Sequence, residues 1–266
     1  MSKLDNAIYE IHDLDDLAVR DTPLTGIHPL IKLLVTVFFI ILTVSFDKYQ
    51  LSAMLPGIFY ILLVFLAGDI PFGKSMKKLR IILPLVCMVG LFNVFFDRIP
   101  VLRLGTFVVT GGMMSAVTLM LKGVFSVLAS YLLIATTGID KICYALRLLH
   151  LPKIIVLQLS LTYRYITVLL GEANTIFCAY ILRAPRQKGV HFKVWGPLIG
   201  QLLLRSMDRA NDLYDSMVLR GYRGAFYVGD KIPFHLKDWM YLILWTGFFV
   251  LMRCFNLVQL LGGLFV

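Results

Sequence analysis

One stretch of the chain has the residue types and spacing of a phosphate-binding loop. Residues 68–75 read GDIPFGKS and match the pattern G-x-x-x-x-G-K-[ST], in which backbone amides and a lysine cradle phosphate groups. The motif works only between a buried strand and a helix whose N-terminus faces the phosphates. Here it joins two strongly apolar segments, and no strand-borne aspartate is available to hold magnesium. We therefore predict a tight basic turn rather than a nucleotide site.

Lys122 is a second candidate, because it lies near the middle of the apolar segment 107–135. Thr118, Ser126 and Ser130 recur with it at every fourth position, which places all four on one helix face. An ionisable group at membrane depth is a functional candidate by default. Two interpretations stay open: a lysine whose ammonium is satisfied by backbone carbonyls inside the bundle, and a polar face that serves transport or a reaction.

The remaining residue types form no recognisable catalytic or metal-binding pattern in the sequence. The four cysteines stand singly, without a CxxC pair. The histidines share no spacing that is typical of a metal site, and motifs for a nucleophile or paired intramembrane carboxylates are lacking. We predict that the chain is not an enzyme and binds neither a cofactor nor a metal. The histidines are His12, His28, His150, His191 and His235.

Arginine and glycine mark the ends of two long predicted helices. The first helix closes with residues 182–189 (LRAPRQKG) and the second with residues 218–224 (VLRGYRG). Arginine complements the dipole at a helix C-terminus, and glycine readily takes the left-handed position that ends a helix. A guanidinium group can also bind a carboxylate of a soluble partner through two parallel hydrogen bonds. From the residues alone, both interpretations stay open.

The composition predicts the kind of protein that must position these residues. The chain has 266 residues, 59% hydrophobic and 16% charged, with a mean hydropathy of +0.81. Globular domains are about 45–50% apolar and about 25% charged. A soluble, disordered, collagen-like or disulfide-rich protein is thereby excluded, and an all-α integral membrane protein is predicted. Five apolar segments are predicted to span the bilayer, with Lys32 snorkelling at the start of the first: 30–46, 51–67, 81–96, 107–135 and 239–266.

The charges predict the orientation of the chain in the membrane. The 26 Lys and Arg exceed the 16 Asp and Glu by ten. Fourteen of these cations lie in residues 136–238, and four more lie between the second and third predicted spans. Basic loops stay on the cytoplasmic side, so we predict a multi-pass protein of the cell membrane with a cytoplasmic N-terminus. The basic charge then reflects a lipid bilayer as partner, and not nucleic acid.

Four segments are expected: 1–26 cytoplasmic, 27–135 with four transmembrane helices, 136–235 cytoplasmic or interfacial, and 236–266 with the last transmembrane helix. Within 136–235, Pro152 predicts the start of a helix of about thirty residues that ends before Pro185. A second helix is predicted from about Pro197 to Arg220. Such long amphipathic helices fit the cytoplasmic face of the membrane, although residues 154–171 are apolar enough to span it.

Two ion pairs are predicted within the second of these helices. They join residues three apart, which lie side by side on a helix surface. The pairs are Arg205–Asp208 and Arg209–Asp212.

Several stretches in order resemble the transmembrane T component of energy-coupling factor transporters, in the cobalt-type, CbiQ-like branch. They cover most of residues 26–225, and Glu172 belongs with them. The stretches are 26–33 (GIHPLIKL), 146–152 (LRLLHLP), 161–165 (LTYRY), 204–210 (LRSMDRA) and 217–222 (MVLRGY).

The resemblance implies a subunit that binds no substrate itself. Its coupling helices would hold two ABC ATPase subunits, which bind ATP and magnesium. The subunit would also bind a CbiM-like substrate-capture membrane protein. The complex would take up cobalt or nickel. Arginines in two short Ala-Arg-Gly-like motifs would dock into the ATPases. Arg220 and Gly221 match the second motif. Arg183 and Arg186 compete for the first, and Arg186 is preferred.

A different class of function also stays open. The chain could be a membrane-embedded enzyme or a self-contained permease that uses the polar face around Lys122. Permeases often carry an internal repeat, and none is evident in this sequence.

Overall fold

The computed structural model describes residues 3–47, 51–71, 100–104, 107–183, 190–224 and 232–254, with isolated residues 73, 76, 84, 88 and 90. Apart from turns and irregular links, these residues form α-helices and one β-hairpin. The strands are β1 (Pro100–Leu104) and β2 (Phe107–Thr110). The helices are α1 (Lys3–Val19), α2 (Pro29–Ser45), α3 (Leu51–Met54), α4 (Gly57–Ala67), α5 (Gly111–Thr137), α6 (Ile139–Leu148), α7 (Lys153–Arg183), α8 (Phe192–Leu219) and α9 (Leu236–Cys254).

The hairpin is a short local exception in a fold that otherwise agrees with the all-α prediction. Its strands are antiparallel, with Leu104 opposite Phe107, so residues 107–110 extend as a strand where the sequence predicted the start of a membrane helix. Two valines and a threonine at 108–110 favour a strand, and the helix α5 begins only at Gly111. The third predicted span, 81–96, lies almost wholly outside the described residues.

Length and composition select two of the described helices as candidate membrane spans. These are α5, with 27 residues, and α7, with 31. Helices α2 and α4 are apolar but shorter, with 17 and 11 residues, and α9 carries three charged residues within its 19. The two long apolar helices agree with the predicted membrane protein, and the number of spans stays a prediction.

The chain divides into two compact units. The first contains residues 1–16 and 139–231, and the second contains residues 17–138 and 232–266. The sequence separated the segment 136–235 from the rest but did not predict that the N-terminal sixteen residues belong with it. Within the first unit, the Tyr163 hydroxyl of α7 donates to the Asp15 carboxylate of α1 at 2.7 Å, which holds the two helices together.

An aromatic cluster forms the core of the second unit. Tyr60 of α4 lies 4.7 Å from Phe39 of α2 and 5.2 Å from Phe249 of α9, measured between ring centroids. Trp245 meets Tyr60 edge-on at 4.7 Å, and Phe125 brings α5 to the same cluster. Such pairs stabilise a core beyond their buried area, so four helices share one packing centre.

Two lysines join α2 and α5, each capping the C-terminal end of the other helix. Lys32 of α2 donates from Nζ to the carbonyl oxygen of Thr136 at 3.0 Å. Lys122 of α5 donates to the carbonyl oxygens of Val44, at 3.0 Å, and Phe46. The interval from Lys32 to Phe46 equals that from Lys122 to Thr136: fourteen residues, or about 21 Å of helix. This reciprocal capping sets the register of an antiparallel helix pair.

The prediction that Lys32 snorkels toward the membrane surface is therefore wrong. The residue is only 6% exposed. The last carbonyl oxygens of a helix have no donor within that helix, so the end of α5 offers the ammonium group a partner inside the unit. Lys122 agrees with the interpretation in which backbone carbonyls satisfy its charge.

A buried carboxylate joins the N-terminal ends of α2 and α9. Asp238 is 1% exposed and accepts hydrogen bonds from the backbone amides of His28 and His235, both at 2.8 Å. His28 is the N-cap of α2 and accepts from the Leu30 amide, while its ring stacks on Phe234 at 4.0 Å. Burial lowers the pKa of His28, opposed by the nearby charge of Asp238.

The turn between α6 and α7 contains a histidine in the left-handed conformation. His150 has φ +62°. Its amide donates to the Arg147 carbonyl at 3.1 Å, and the Leu151 amide donates to the Leu146 carbonyl at 3.4 Å. These two bonds form a Schellman motif, and Pro152 then precedes the first residue of α7.

Candidate functional site

The two long helices of the first unit, α7 and α8, match the sequence prediction closely at three of their four ends. Helix α7 runs from Lys153 to Arg183, as the flanking prolines predicted. Helix α8 ends at Leu219 but begins at Phe192, five residues before the predicted start. Pro197 lies inside it, so this proline does not mark the first turn.

The arginine at the end of α7 is exposed. Arg183 is the last residue of that helix, and its neighbour Leu182 is 80% exposed. Arg186, the preferred docking residue of the sequence analysis, lies outside the described residues, as do all of 184–189. The structure therefore places one of the two competing arginines.

The end of α8 is a Schellman motif built around a glycine. Arg220 is the C-cap residue, and Gly221 has φ +83°. The Gly221 amide donates to the Val218 carbonyl, and the Tyr222 amide donates to the Met217 carbonyl, both at 2.9 Å. The glycine thus has the structural role expected of a left-handed cap, and the same turn directs the chain so that Arg220 and Tyr222 both border one groove.

This groove has a volume of about 560 Å³ and lies between α7 and the end of α8. Three exposed arginines line it, together with two tyrosines and an apolar floor. The described residues include no carboxylate that pairs with any of the three guanidinium groups. An acidic group with an apolar neighbour is the ligand that such a surface suits. The lining residues are Leu161, Arg164, Tyr165, Leu213, Ser216, Met217, Arg220, Gly221, Tyr222 and Arg223.

Arg164 and Arg223 were not among the predicted site residues. Arg164 is the only charged residue in the apolar stretch 154–171, which is the signal that could have found it. Arg223 follows Arg220 by three residues, beyond the helix end, where helical periodicity no longer tells which residues share a surface.

A second charged cluster links α7 to α8. Arg205 Nη1 lies 2.9 Å from Glu172 Oε2, and Arg209 Nη2 lies 3.2 Å from Glu172 Oε1. The predicted pairs of these arginines with Asp208 and Asp212 are wrong. Arginines one helical turn apart face the same neighbour, and Glu172, only 26% exposed, is better shielded from water than a carboxylate on the solvent face of α8.

The phosphate-loop pattern lacks its required setting. Gly68 is the C-cap of α4, so a helix and not a strand precedes the motif. Asp69 continues the turn with φ +46°, and Lys74 and Ser75 lie outside the described residues. The helix before Gly68 supports the interpretation of these residues as a turn.

Lys122 is also accounted for structurally. Its ammonium group is bonded to the C-terminal carbonyls of α2, and the Ser130 hydroxyl on the same face donates to its own backbone at Ser126, at 2.9 Å. The polar face around Lys122 is thus engaged by hydrogen bonds within the second unit.

The described residues combine long apolar helices with a helical unit that exposes arginines, as in a membrane protein. Residues 20–229 match the family model described as CbiQ, cobalt transport protein. The chain belongs to this family, as a transmembrane component of energy-coupling factor transporters.

Curated relatives agree with this assignment. The energy-coupling factor transporter transmembrane protein EcfT of Listeria innocua is 30% identical over 202 residues, which cover 68% of this chain and 73% of the relative. The EcfT protein of Bacillus subtilis is 28% identical over 217 residues, covering 74% and 79%. The nickel permease LarQ of Lactiplantibacillus plantarum is 26% identical over 117 residues, covering 42% and 43%. These names describe transporter components, which supports a role other than catalysis.

Proposed function

We propose that the chain is the coupling subunit of an energy-coupling factor importer for cobalt or nickel. It would hold two ABC ATPase subunits at its cytoplasmic face and a substrate-capture protein in the membrane, and it would transmit the motion of the first to the second. The family description refers to cobalt, and one relative is named for nickel; both support a transition-metal cargo.

The groove at the end of α8 is the observation that carries this proposal. Arg164, Arg220 and Arg223 line it without a carboxylate partner among the described residues. Guanidinium groups left in such a cluster repel one another, and an acidic segment of a partner would relieve that repulsion while burying Met217 and its apolar neighbours. The ATPase subunits, which carry ATP and magnesium, would supply this segment.

Exposed apolar side chains on α8 support a second partner. Helix α8 has no buried residue in this chain alone, although it carries large apolar side chains that are more than half exposed. Contiguous apolar surface of this kind indicates contact with protein or membrane, which suits the substrate-capture protein. The residues are Ile199, Leu203, Leu204, Met207 and Tyr214.

The order of events follows from these contacts. ATP binding would draw the two ATPase subunits together and shift the docked arginine ends of α7 and α8. Because both helices are long and continuous, a displacement at the arginine ends would reach the apolar surface that meets the capture protein. That protein would then tilt and release the metal ion inward. In this proposal the chain crosses the membrane five times and keeps its N-terminus in the cytoplasm.

A pull-down from native membranes tests the proposal. We expect the tagged native chain to retain two copies of an ATPase and an Arg183→Glu, Arg220→Glu double variant to lose them, since charge reversal turns attraction for a carboxylate into repulsion. Arg186→Glu with Arg220→Glu is made in parallel to decide between the two arginines. Lys153→Glu is the control for Arg183→Glu. It makes the same charge change at the opposite end of α7, where a carboxylate suits the helix dipole.

The pull-down also tests the alternative function, a self-contained permease. If no ATPase accompanies the native chain in mild detergent, the coupling role is wrong. A self-contained permease that uses Lys122 would instead transport metal ions when reconstituted alone and would lose that activity in Lys122→Met with the chain still folded. We expect the reconstituted chain to transport nothing without its partners.

A further inference from the structure

Glu172 lies midway between two helix ends that carry arginine: Arg183 at the end of α7 and Arg220 at the end of α8. It lies eleven residues before Arg183 on α7, and Arg209, its partner on α8, lies eleven residues before Arg220. Eleven residues of helix measure about 16 Å. The ionic contact is therefore equally distant from both ends, three turns back along each helix.

Few side chains of α7 and α8 are buried in the part of the first unit that the structure describes. Helix α8 buries no side chain, and α7 buries only Val156 and Ile176 along its 31 residues. The described salt bridges between α7 and α8 both use Glu172, one through each carboxylate oxygen. Two bonds to one carboxylate from arginines one turn apart restrain rotation of α8 as well as its distance from α7.

The ion pairs of this contact are partly exposed to solvent, so the contact can open as well as close. We call it a latch for that reason. Arg205 and Arg209 have side chains that are 46% and 45% exposed, and ion pairs exposed to that extent contribute modestly because water competes for both charges. If Glu172 is lost or drawn away, two like charges remain at i and i+4 on α8, where they repel each other. Among the described residues, the salt bridges of both arginines to α7 depend on this one carboxylate.

We propose that Glu172 is a positioning residue, which with Arg205 and Arg209 forms an ionic latch that sets the crossing of α7 and α8 and hence the spacing of Arg183 and Arg220. This inference rests on the proposed function for its consequence: the spacing is what the ATPase pair meets, so the latch determines how much of the ATPase motion reaches the transported metal ion.

A distance measurement tests the latch without any partner. Spin labels are placed on cysteines at Leu182 and Leu219, which are 80% and 88% exposed, in a chain whose native cysteines are replaced. We expect a narrow distribution of distances in the native background and a clearly broader one in Glu172→Gln. An inverted triad, Glu172→Arg with Arg205→Glu and Arg209→Glu, should restore the narrow distribution, because the contact is the same with its signs exchanged.

Control and functional variants separate the latch from general damage. Asp212→Asn removes an exposed charge from the same helix without touching Glu172 and should leave the distances unchanged. Arg205→Gln and Arg209→Gln each keep one of the two bonds and should give intermediate widths. In the reconstituted transporter, Glu172→Gln should retain the ATPases yet move several-fold less metal ion per ATP hydrolysed, and the inverted triad should recover the native ratio.

The possible results are distinct. An unchanged distribution in Glu172→Gln overturns the latch. A broadened distribution that the inverted triad fails to narrow overturns it as well, because the effect would not depend on charge pairing. If the distances respond as expected but the native chain retains no ATPase, the proposed function fails and the latch stands as a structural feature of the two helices. If Glu172→Gln does not fold, the two single arginine variants decide.

Discussion

Two residues in the left-handed conformation end two helices by the same pattern of hydrogen bonds. His150 follows α6 and Gly221 follows α8, and each donates its amide to the carbonyl three residues earlier. A residue with a Cβ atom pays about 1–2 kcal/mol for this conformation, which glycine adopts freely. The two turns therefore share a geometry but differ in strain, and the difference can be measured.

Exchanging the residue types should move stability in opposite directions. We expect His150→Gly to raise the free energy of unfolding by up to about 1 kcal/mol and Gly221→Ala to lower it by about 1 kcal/mol. A Cβ at Gly221 would meet no atom within 4 Å, so its cost is conformational and not steric. Chemical denaturation in detergent measures both. Gly200→Ala, inside α8 and equally free of contacts, is the control and should be stabilising; a neutral Gly221→Ala would contradict the argument.

At the scale of elements, the sequence predicted those helix ends that depend on the residues next to them. Prolines before and after α7 marked its ends, since proline suits the first turn and cannot continue a helix. The start of α8 was missed because Pro197 is tolerated inside that helix. The contact of Arg205 and Arg209 with Glu172 was missed because the partner lies 33 or more residues away in the sequence, where helical periodicity carries no information. A packed neighbour can change the preferred partner of a charge, but sequence spacing cannot show it.

The junction of α2 and α9 predicts a dependence on pH. The pKa of His28 is lowered in the folded chain from its ordinary value of 6.5, so the unfolded chain takes up the proton first as the pH falls below about 6.5. Folding stability should therefore decline from that pH downward. We expect the Tm of the native chain to fall more between pH 7.5 and 5.5 than that of His28→Asn, which keeps an N-cap acceptor but does not titrate.

Thermal unfolding in detergent at the two pH values gives the comparison. His12→Asn serves as the control, because His12 is exposed and bonded within its own helix. An equal loss of Tm in the native chain and in His28→Asn would assign the pH dependence to other groups.

At the scale of the whole molecule, composition predicted a membrane protein and the order of motifs predicted its family. The basic segment 136–235 was recognised from its charge, but the placement of residues 1–16 in the same unit was not. That placement depends on contacts such as Tyr163 with Asp15, which join residues 148 apart in the sequence. The first predicted docking arginine was left open between two residues because the motif there departs from Ala-Arg-Gly, and one of the two lies in the described part of the chain.

Orientation in the membrane gives a prediction at this scale. In a chain without its native cysteines, we expect Glu10→Cys and Asp215→Cys to react with a membrane-impermeant maleimide only in inside-out vesicles. Asp47→Cys, just beyond α2, should react only in intact cells. All three positions are exposed, so labelling reports the side of the membrane and not burial. The predicted orientation follows from the basic segments, which favour the cytoplasmic side. Labelling of Glu10→Cys from outside the cell would contradict it.

The matched lysines of α2 and α5 constrain how the length of this chain can vary between related proteins. Inserting or deleting one residue between Lys32 and Phe46, or between Lys122 and Thr136, shifts one helix by 1.5 Å and turns it by about 100°. One ammonium group would then no longer reach its carbonyls while the other still did. Loops on either side can gain or lose residues without this effect. Relatives that keep both lysines should therefore keep two equal intervals, even where their loops differ in length.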